Sequence, residues 1–179
     1  MLVGKYESKG ATVCQVASEA PPWGLLLVRG TVSEGSDKRK HWNDTYRIPC
    51  MFTVEHHSSL GRVIGGGGSG IKMQDGTLVF PVEGTKKEKD GKTVSLILYS
   101  SATESWKLSK GMSADGCSYP SVVEREKDKL MMMTACDDGR RRVYESGDKG
   151  ESWTEVLGDT LARVGQEKDG EAKNVGSGF

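Results

Sequence analysis

The stretch YESGDKGESW, Tyr144 to Trp153, sets Asp148 and Gly150 in a turn that runs straight into a tryptophan. The Asp148 carboxylate can accept hydrogen bonds from the turn's own backbone N–H groups, as Asp does in Asx-turns. Gly150 can take a positive φ without a Cβ clash, and Ser146 adds a second local hydrogen-bonding group. Trp153 then enters the next strand and buries a large ring against a neighbouring layer. The stretch reads as a clip that fixes a hairpin. Its carboxylate serves the turn and not a reaction.

Outward from this clip the chain repeats itself. Ile71 to Leu108 runs IKM, TLVFPVEG, TVSLILYSS and ESWKL; Val122 to Leu157 runs VVERE, KLMMMTACD, RRVYES and ESWTEVL. Each half carries a Tyr, nearby serines and Glu-Ser-Trp, and Trp106 and Trp153 lie 47 residues apart. A unit of four short strands with a period of about 40–50 residues is that of a β-propeller blade, an ordinary antiparallel sandwich being the alternative. The runs Gly24–Val32, Thr77–Val82, Val94–Tyr99 and Leu130–Thr134 are short, apolar and bounded by Gly, Asp or Lys, as strands buried on both faces are. Asp75-Gly76 and Asp90-Gly91 favour tight hairpin turns between them. The expected class is all-β. At about 45 residues per blade, 179 residues hold about four blades.

Lys+Arg and Asp+Glu both number 25, so no net charge points to nucleic acid or an anionic membrane as partner. Twenty-four glycines are about twice the usual share of roughly 7%, which implies many tight turns. No run of about 18 apolar residues offers a membrane span, and MLVGKYESKG is too short in apolar residues for a signal peptide. Cys14, Cys50, Cys117 and Cys136 lack C-x-x-C spacing, against structural zinc or thioredoxin-type chemistry. Spacing leaves their pairing open, although Cys117 and Cys136 are the better-placed pair if the inner strands of one blade adjoin. No cofactor or metal is expected. Asn43-Asp44-Thr45 is an N-glycosylation sequon, relevant to a secreted chain.

The spacing Ser146, Asp148, Gly150, Ser152, Trp153 resembles the Asp box of sialidases, and SSATESW from Ser100 to Trp106 resembles a degenerate copy, one residue short and without Asp or Gly. In longer context, IGGGGSGIKMQDGTLVFPVEGTKK, SLILYS, WKLSKGMSADGCSYPSVVE and CDDGRRRVYESGDKGESWTEVLG are similar to the trypanosome trans-sialidase superfamily over nearly the whole chain. The resemblance implies that residues 1–179 are part of a six-bladed propeller, with blade repeats at about 71–109 and 121–157. A lectin-like sandwich usually follows in this family and is not found within these residues. It also implies a cell-surface or secreted location and sialylated or galactosylated host glycans or glycoproteins as partners.

Enzymes of this superfamily cleave or transfer terminal sialic acid with a Tyr nucleophile, an activating Glu, an Asp acid/base and three arginines that clamp the sugar carboxylate. The family's Gly-Cys-Ser-Glu-Pro segment is here Gly116-Cys117-Ser118-Tyr119-Pro120, and its Thr-Arg-Val-Asp segment is Thr134-Ala135-Cys136-Asp137. Tyr119 thus stands at the glutamate position, and with a reference pKa of about 10 it is no anionic base near neutral pH. Ala135 stands at an arginine position. The first arginine and the acid/base Asp are expected before Met1 and the nucleophile after Phe179. A sugar-stacking Trp, expected near 161–166, is absent from LARVGQ. The resemblance therefore implies a sialidase fold without activity. The alternatives are an active exo-sialidase or trans-sialidase and a truncated product with no function.

Other patterns have plainer readings. Tyr46-Arg47-Ile48-Pro49 imitates an arginine signature of sialidases but reads as part of an insertion-like loop. Gly65, Gly67 and Gly70 satisfy G-x-G-x-x-G, yet a hairpin follows instead of a helix, so a close backbone approach between blades is expected. His56-His57 lacks a third metal ligand nearby. Met131–Met133 reads as an interior strand, Arg140–Arg142 as a solvated strand edge, and 86–92 as a charged hairpin tip.

Overall fold

The computed structural model describes residues 1–7, 23–34, 39–48, 59–102 and 105–156, and among them it contains strands and turns but no helix. β1 (Leu2–Glu7), β2 (Trp23–Val32) and β3 (Lys40–Ile48) form a first antiparallel sheet. β4 (Leu60–Gly65), β5 (Ile71–Lys72), β6 (Leu78–Lys86), β7 (Thr93–Ala102) and β8 (Ser105–Leu108) form a second. β9 (Cys117–Glu126), β10 (Lys129–Cys136), β11 (Arg141–Ser146) and β12 (Thr154–Glu155) form a third, each strand beside the next. The described residues thus make three sheets; residues 8–22, 49–58 and 157–179, on which a count of about four blades also draws, lie outside them.

The two echoing stretches fall in different sheets, and each sheet opens earlier in the chain than propensity suggests. β9 starts at Cys117, before Pro120, because β9 is an edge strand where a missing N–H breaks no ladder. In the second sheet, β4 and β5 both pair with β6, Gly65 opposite Val82 and Ile71 opposite Val79. Two short strands therefore share one ladder position on either side of residues 66–70. Pro81 lies in the gap between them. Its carbonyl accepts the Gly66 N–H at 3.1 Å, so its N–H-less nitrogen faces the place where the chain leaves the sheet. A proline in a central strand is tolerated for that reason.

Alternation along the central strands splits the core. Val94, Leu96 and Leu98 of β7 join Leu25, Leu27, Leu60, Val63, Val82 and Leu108 between the first and second sheets. Ile97 points the other way, with Met73, Val79, Val122 and Leu130, between the second and third. Met131 and Met133 cluster with Val143 on the far face of the third sheet. Both β7 and β10 are buried on both faces, the condition that makes LILY and LMMM continuous apolar runs.

The glycine loop is a close approach between sheets. A Cβ on Gly66 would lie 2.5 Å from Pro120 Cγ, and one on Gly68 would lie 2.6 Å from the Pro120 carbonyl oxygen. Tyr46-Arg47-Ile48 is a correction: these residues are not loop but the end of β3, paired with Leu25–Leu27 through an aromatic and a β-branched residue suited to a strand. Pro49, Cys14, Cys50, His56 and His57 lie outside the described residues.

Gly68→Ala places its methyl against backbone that cannot swing away, so a loss of about 1–3 kcal/mol is expected from chemical denaturation. Gly147→Ala meets nothing within 4 Å and has an ordinary φ, so a change within about 0.5 kcal/mol is expected in the same measurement.

Candidate functional site

The antiparallel pairing of β9 and β10 brings Tyr119 close to Ala135, the two positions singled out in the sequence. Cys117 lies opposite Cys136 and Ser118 opposite Ala135, with the Ser118 hydroxyl 3.5 Å from the Ala135 carbonyl oxygen. Cys117 and Cys136 form a disulfide across the two strands, their Cα atoms 4.0 Å apart. Tyr119 follows directly and takes a φ of +51°, in the left-handed region that bulky side chains rarely adopt. Its backbone N–H donates to Glu83 Oε1 at 2.7 Å. Such a contact reaches from the third sheet back to β6 of the second, and it holds an otherwise unfavourable backbone conformation.

Glu83 was not singled out from the sequence. It sits between Val82 and Gly84, both buried, on a strand that is apolar on both faces, and a carboxylate in that setting is the signal that could have found it. Burial pushes its carboxyl above the ordinary value, while the Tyr119 N–H pulls in the opposite direction. The corner defined by Ala135, Ser118, Tyr119 and Glu83 therefore offers a carboxylate and hydroxyls. Arg141 pairs with Ala135 from β11, and Arg142 is engaged elsewhere: its guanidinium donates to Asp138 Oδ2 at 2.8 Å and Glu155 Oε2 at 3.3 Å. Arg140 is exposed. Among the described residues no group of three or more His, Cys, Asp or Glu gathers as metal ligands do. The stretch 161–166 lies outside the described residues.

The turn at 146–153 is a closed hydrogen-bond ring. The Ser146 hydroxyl donates to Asp148 Oδ1 at 2.8 Å and accepts from the Gly150 N–H at 2.8 Å. Asp148 Oδ1 also accepts the Ser152 N–H at 3.0 Å, and Oδ2 accepts the Ser152 hydroxyl at 2.6 Å. Burial alone would raise the Asp148 carboxyl, but the donations from Ser152 and Ser146 outweigh it and hold the group below its usual range. Gly150 has a φ of +83°, and a Cβ there would lie 2.9 Å from Ser109 Cβ and 3.0 Å from Ile97 Cδ1. Glycine is required twice over, by conformation and by space.

The ring clamps the third sheet onto the second. The Gly150 carbonyl accepts the Gly111 N–H at 2.9 Å, and Trp153 packs with the cluster of Met73, Val79, Ile97, Val122 and Leu130. Trp153 Nε1 is buried without a hydrogen-bond partner among the described residues, so packing alone holds the ring. Lys149 reaches across to Asp75 and to the Thr77 hydroxyl. That bond, with the Thr77 N–H, lowers the Asp75 carboxyl to about 2. Trp106 is the second residue of β8, opposite Ser100, and Trp153 immediately precedes the corresponding strand of the third sheet. The earlier copy lacks the Asp, and its Trp106 ring packs instead on Phe80 at 5.7 Å between centroids.

A family model described as a BNR repeat-like domain matches residues 1–179. A Trypanosoma cruzi protein, sialidase 85-1.1, is 37% identical over 141 residues, 78% of this chain and 18% of its own length. A second Trypanosoma cruzi sialidase is 34% identical over 171 residues, 92% of this chain and 14% of its own. The structure of Trypanosoma rangeli sialidase in complex with sialic acid superimposes with a TM-score of 0.66 at 31% identity, covering 87% of this chain and 25% of that one. The chain therefore spans well under half the length of these relatives, and its all-β fold is that of sialidase propellers.

Asp148→Ala removes the acceptor of three hydrogen bonds and is expected to cost about 0.5–2 kcal/mol, as loss of a local cap does. Trp153→Ala, which empties the contact between two sheets, is expected to cost more, about 3 kcal/mol. Denaturation midpoints of the two variants give the comparison. A pH series checks the carboxylate at position 75. Its folded value of about 2 lies below the ordinary 3.8, so its contribution is complete above about 3.8 and disappears as pH falls through about 2. Asp75→Asn is expected to flatten that part of the stability–pH curve.

Proposed function

Because the chain belongs to the BNR repeat-like domain family and to the sialidase superfamily with trypanosome members among its relatives, we propose that it is a sialidase-fold surface or secreted domain that has lost catalysis and engages sialylated or galactosylated host glycans without cleaving them. The observation that carries this reading is the corner at Tyr119 and Ala135. A sialidase needs a glutamate to activate its Tyr nucleophile and an arginine to hold the sugar carboxylate, and neither side chain stands at these two positions. Tyr119 cannot do the work of a carboxylate base, and Ala135 carries no charge. The nearby carboxylate, Glu83, has the wrong sign for a sugar acid and is hydrogen-bonded to the Tyr119 backbone.

In this reading residues 1–179 are part of a six-bladed propeller, with blade units that include 71–109 and 121–157. Ser146, Asp148, Gly150, Ser152 and Trp153 are an Asp box with a structural duty, supported by the ring of bonds that closes on Asp148 and by its distance in the sheet from Tyr119. The stretch from Ser100 to Trp106 is its degenerate counterpart. The disulfide between Cys117 and Cys136 suits an oxidising, extracellular location. No helix among the described residues is long and apolar enough to cross a membrane.

The purified protein, and a longer chain carrying the remaining blades, are expected to release no sialic acid from a fluorogenic sialoside. Loss of one preorganised electrostatic contact typically costs about 10²–10³ in turnover, and two are absent here. Sialoside turnover by the unaltered longer chain would overturn the non-catalytic reading. Binding of sialyl- or galactosyl-oligosaccharides on a glycan array tests the second half, and no retained glycan would overturn it.

A further inference from the structure

We propose that Asn43 is an N-glycan acceptor and that the glycan shields the open edge of the first sheet. Asn43-Asp44-Thr45 has the acceptor pattern, with no proline in the middle position. The pattern alone is common; what matters is whether the asparagine is reachable. β3 is the last strand of the sheet ordered β1-β2-β3, and no strand pairs with its outer side among the described residues. Asn43 is exposed. It also stands outside the ladder. Arg29 lies opposite Asp44 and Gly30 opposite Trp42, so Asn43 is the extra residue of a β-bulge with no cross-strand partner.

The bulge is built into the sequence of the neighbouring strand. A Cβ on Gly30 would lie 2.6 Å from the His41 carbonyl oxygen and 2.9 Å from Trp42 Cε3, so only glycine lets β3 crowd so close at this point. Beside the bulge, Trp42 is 55% exposed and Val32 58% exposed. Trp42 lies on the edge strand itself and Val32 at the end of β2 beside it; an edge strand unpaired among the described residues, with exposed apolar side chains on and next to it, is a template for pairing with another chain, and proteins cover such edges. A hydrophilic oligosaccharide on Asn43 covers this one. The disulfide between Cys117 and Cys136 forms in the same oxidising compartment in which such glycans are attached.

The transfer needs a lipid-diphosphate oligosaccharide as donor. The side-chain amide nitrogen of Asn43 forms a bond to C1 of the donor's reducing-end sugar, and the bond from C1 to the diphosphate oxygen breaks. The lipid diphosphate leaves with the bonding pair, and the amide loses one proton to the transferase. No oxidation or reduction is involved.

The test expresses the full chain in eukaryotic cells behind a cleavable secretion leader and reads the Asn43 peptide by mass spectrometry before and after peptide-N-glycosidase. A glycosylated peptide, converted to Asp at position 43 on enzymatic release, is expected. Asn43→Gln and Thr45→Val are expected to abolish the modification, and Thr45→Ser to retain it. An unmodified Asn43 in chains that carry the Cys117–Cys136 disulfide overturns the proposal. Chains with neither disulfide nor glycan overturn it as well, since both are assigned to one compartment. The shielding half is read by light scattering of the folded protein before and after glycan removal. Increased self-association after removal is expected, and unchanged scattering overturns that half.

Discussion

The contact of Gly150 with Ser109, Gly111 and Ile97 is the constraint on which the packing of the second and third sheets depends. At this point the backbone of one sheet's turn lies against the backbone and side chains of the sheet before it, with no room for a Cβ on either glycine. The approach is possible because Ser146 and Asp148 satisfy the turn's N–H groups internally, so a tight loop can be buried without orphaned donors. Trp153 fills the volume beside it. The segment after β8 continues the same logic. The N–H groups of Ser109, Ser113 and Gly116 donate to the carbonyls of Ile97, Ser95 and Thr93, so the connection between the sheets runs along β7 as a further irregular strand.

A second join lies at the glycine loop. Gly66 and Gly68 press on Pro120, and Tyr119, next to that proline, turns its N–H toward Glu83. The corner at Tyr119 and Ala135 is thereby part of the seam between sheets, and it is held by backbone geometry and a disulfide. The scaffold of a sialidase site and its chemistry are separable for a physical reason: the scaffold needs small residues, turn chemistry and apolar alternation, while the chemistry needs a few charges on top.

A sugar carboxylate is recognised by planar cations, but the described part of this corner presents a half-buried carboxylate whose proton affinity is raised by burial. Arg142, close by in sequence, is engaged with Asp138 and Glu155. Ion pairs of that kind, partly exposed, contribute little to stability and mainly fix the orientation of side chains.

The sequence by itself determined the all-β class, the two echoing units, and the turn at Asp148 with its tryptophan. These are local matters: alternation with period two, a glycine where φ is positive, and residue identity at one position are all written in a few neighbouring residues. Tertiary structure decided what depends on distant segments meeting. It set the start of the third sheet at Cys117, because an edge strand excuses the proline at 120, and it added Leu60–Gly65 to the second sheet through pairing with β6. It made Tyr46-Arg47-Ile48 a strand, since Leu25–Leu27 supply its partner. It paired Cys117 with Cys136 by placing them across one ladder. It also brought Glu83, 36 residues away in the chain, to the Tyr119 backbone, a meeting that no local pattern encodes because it requires two sheets to be packed first.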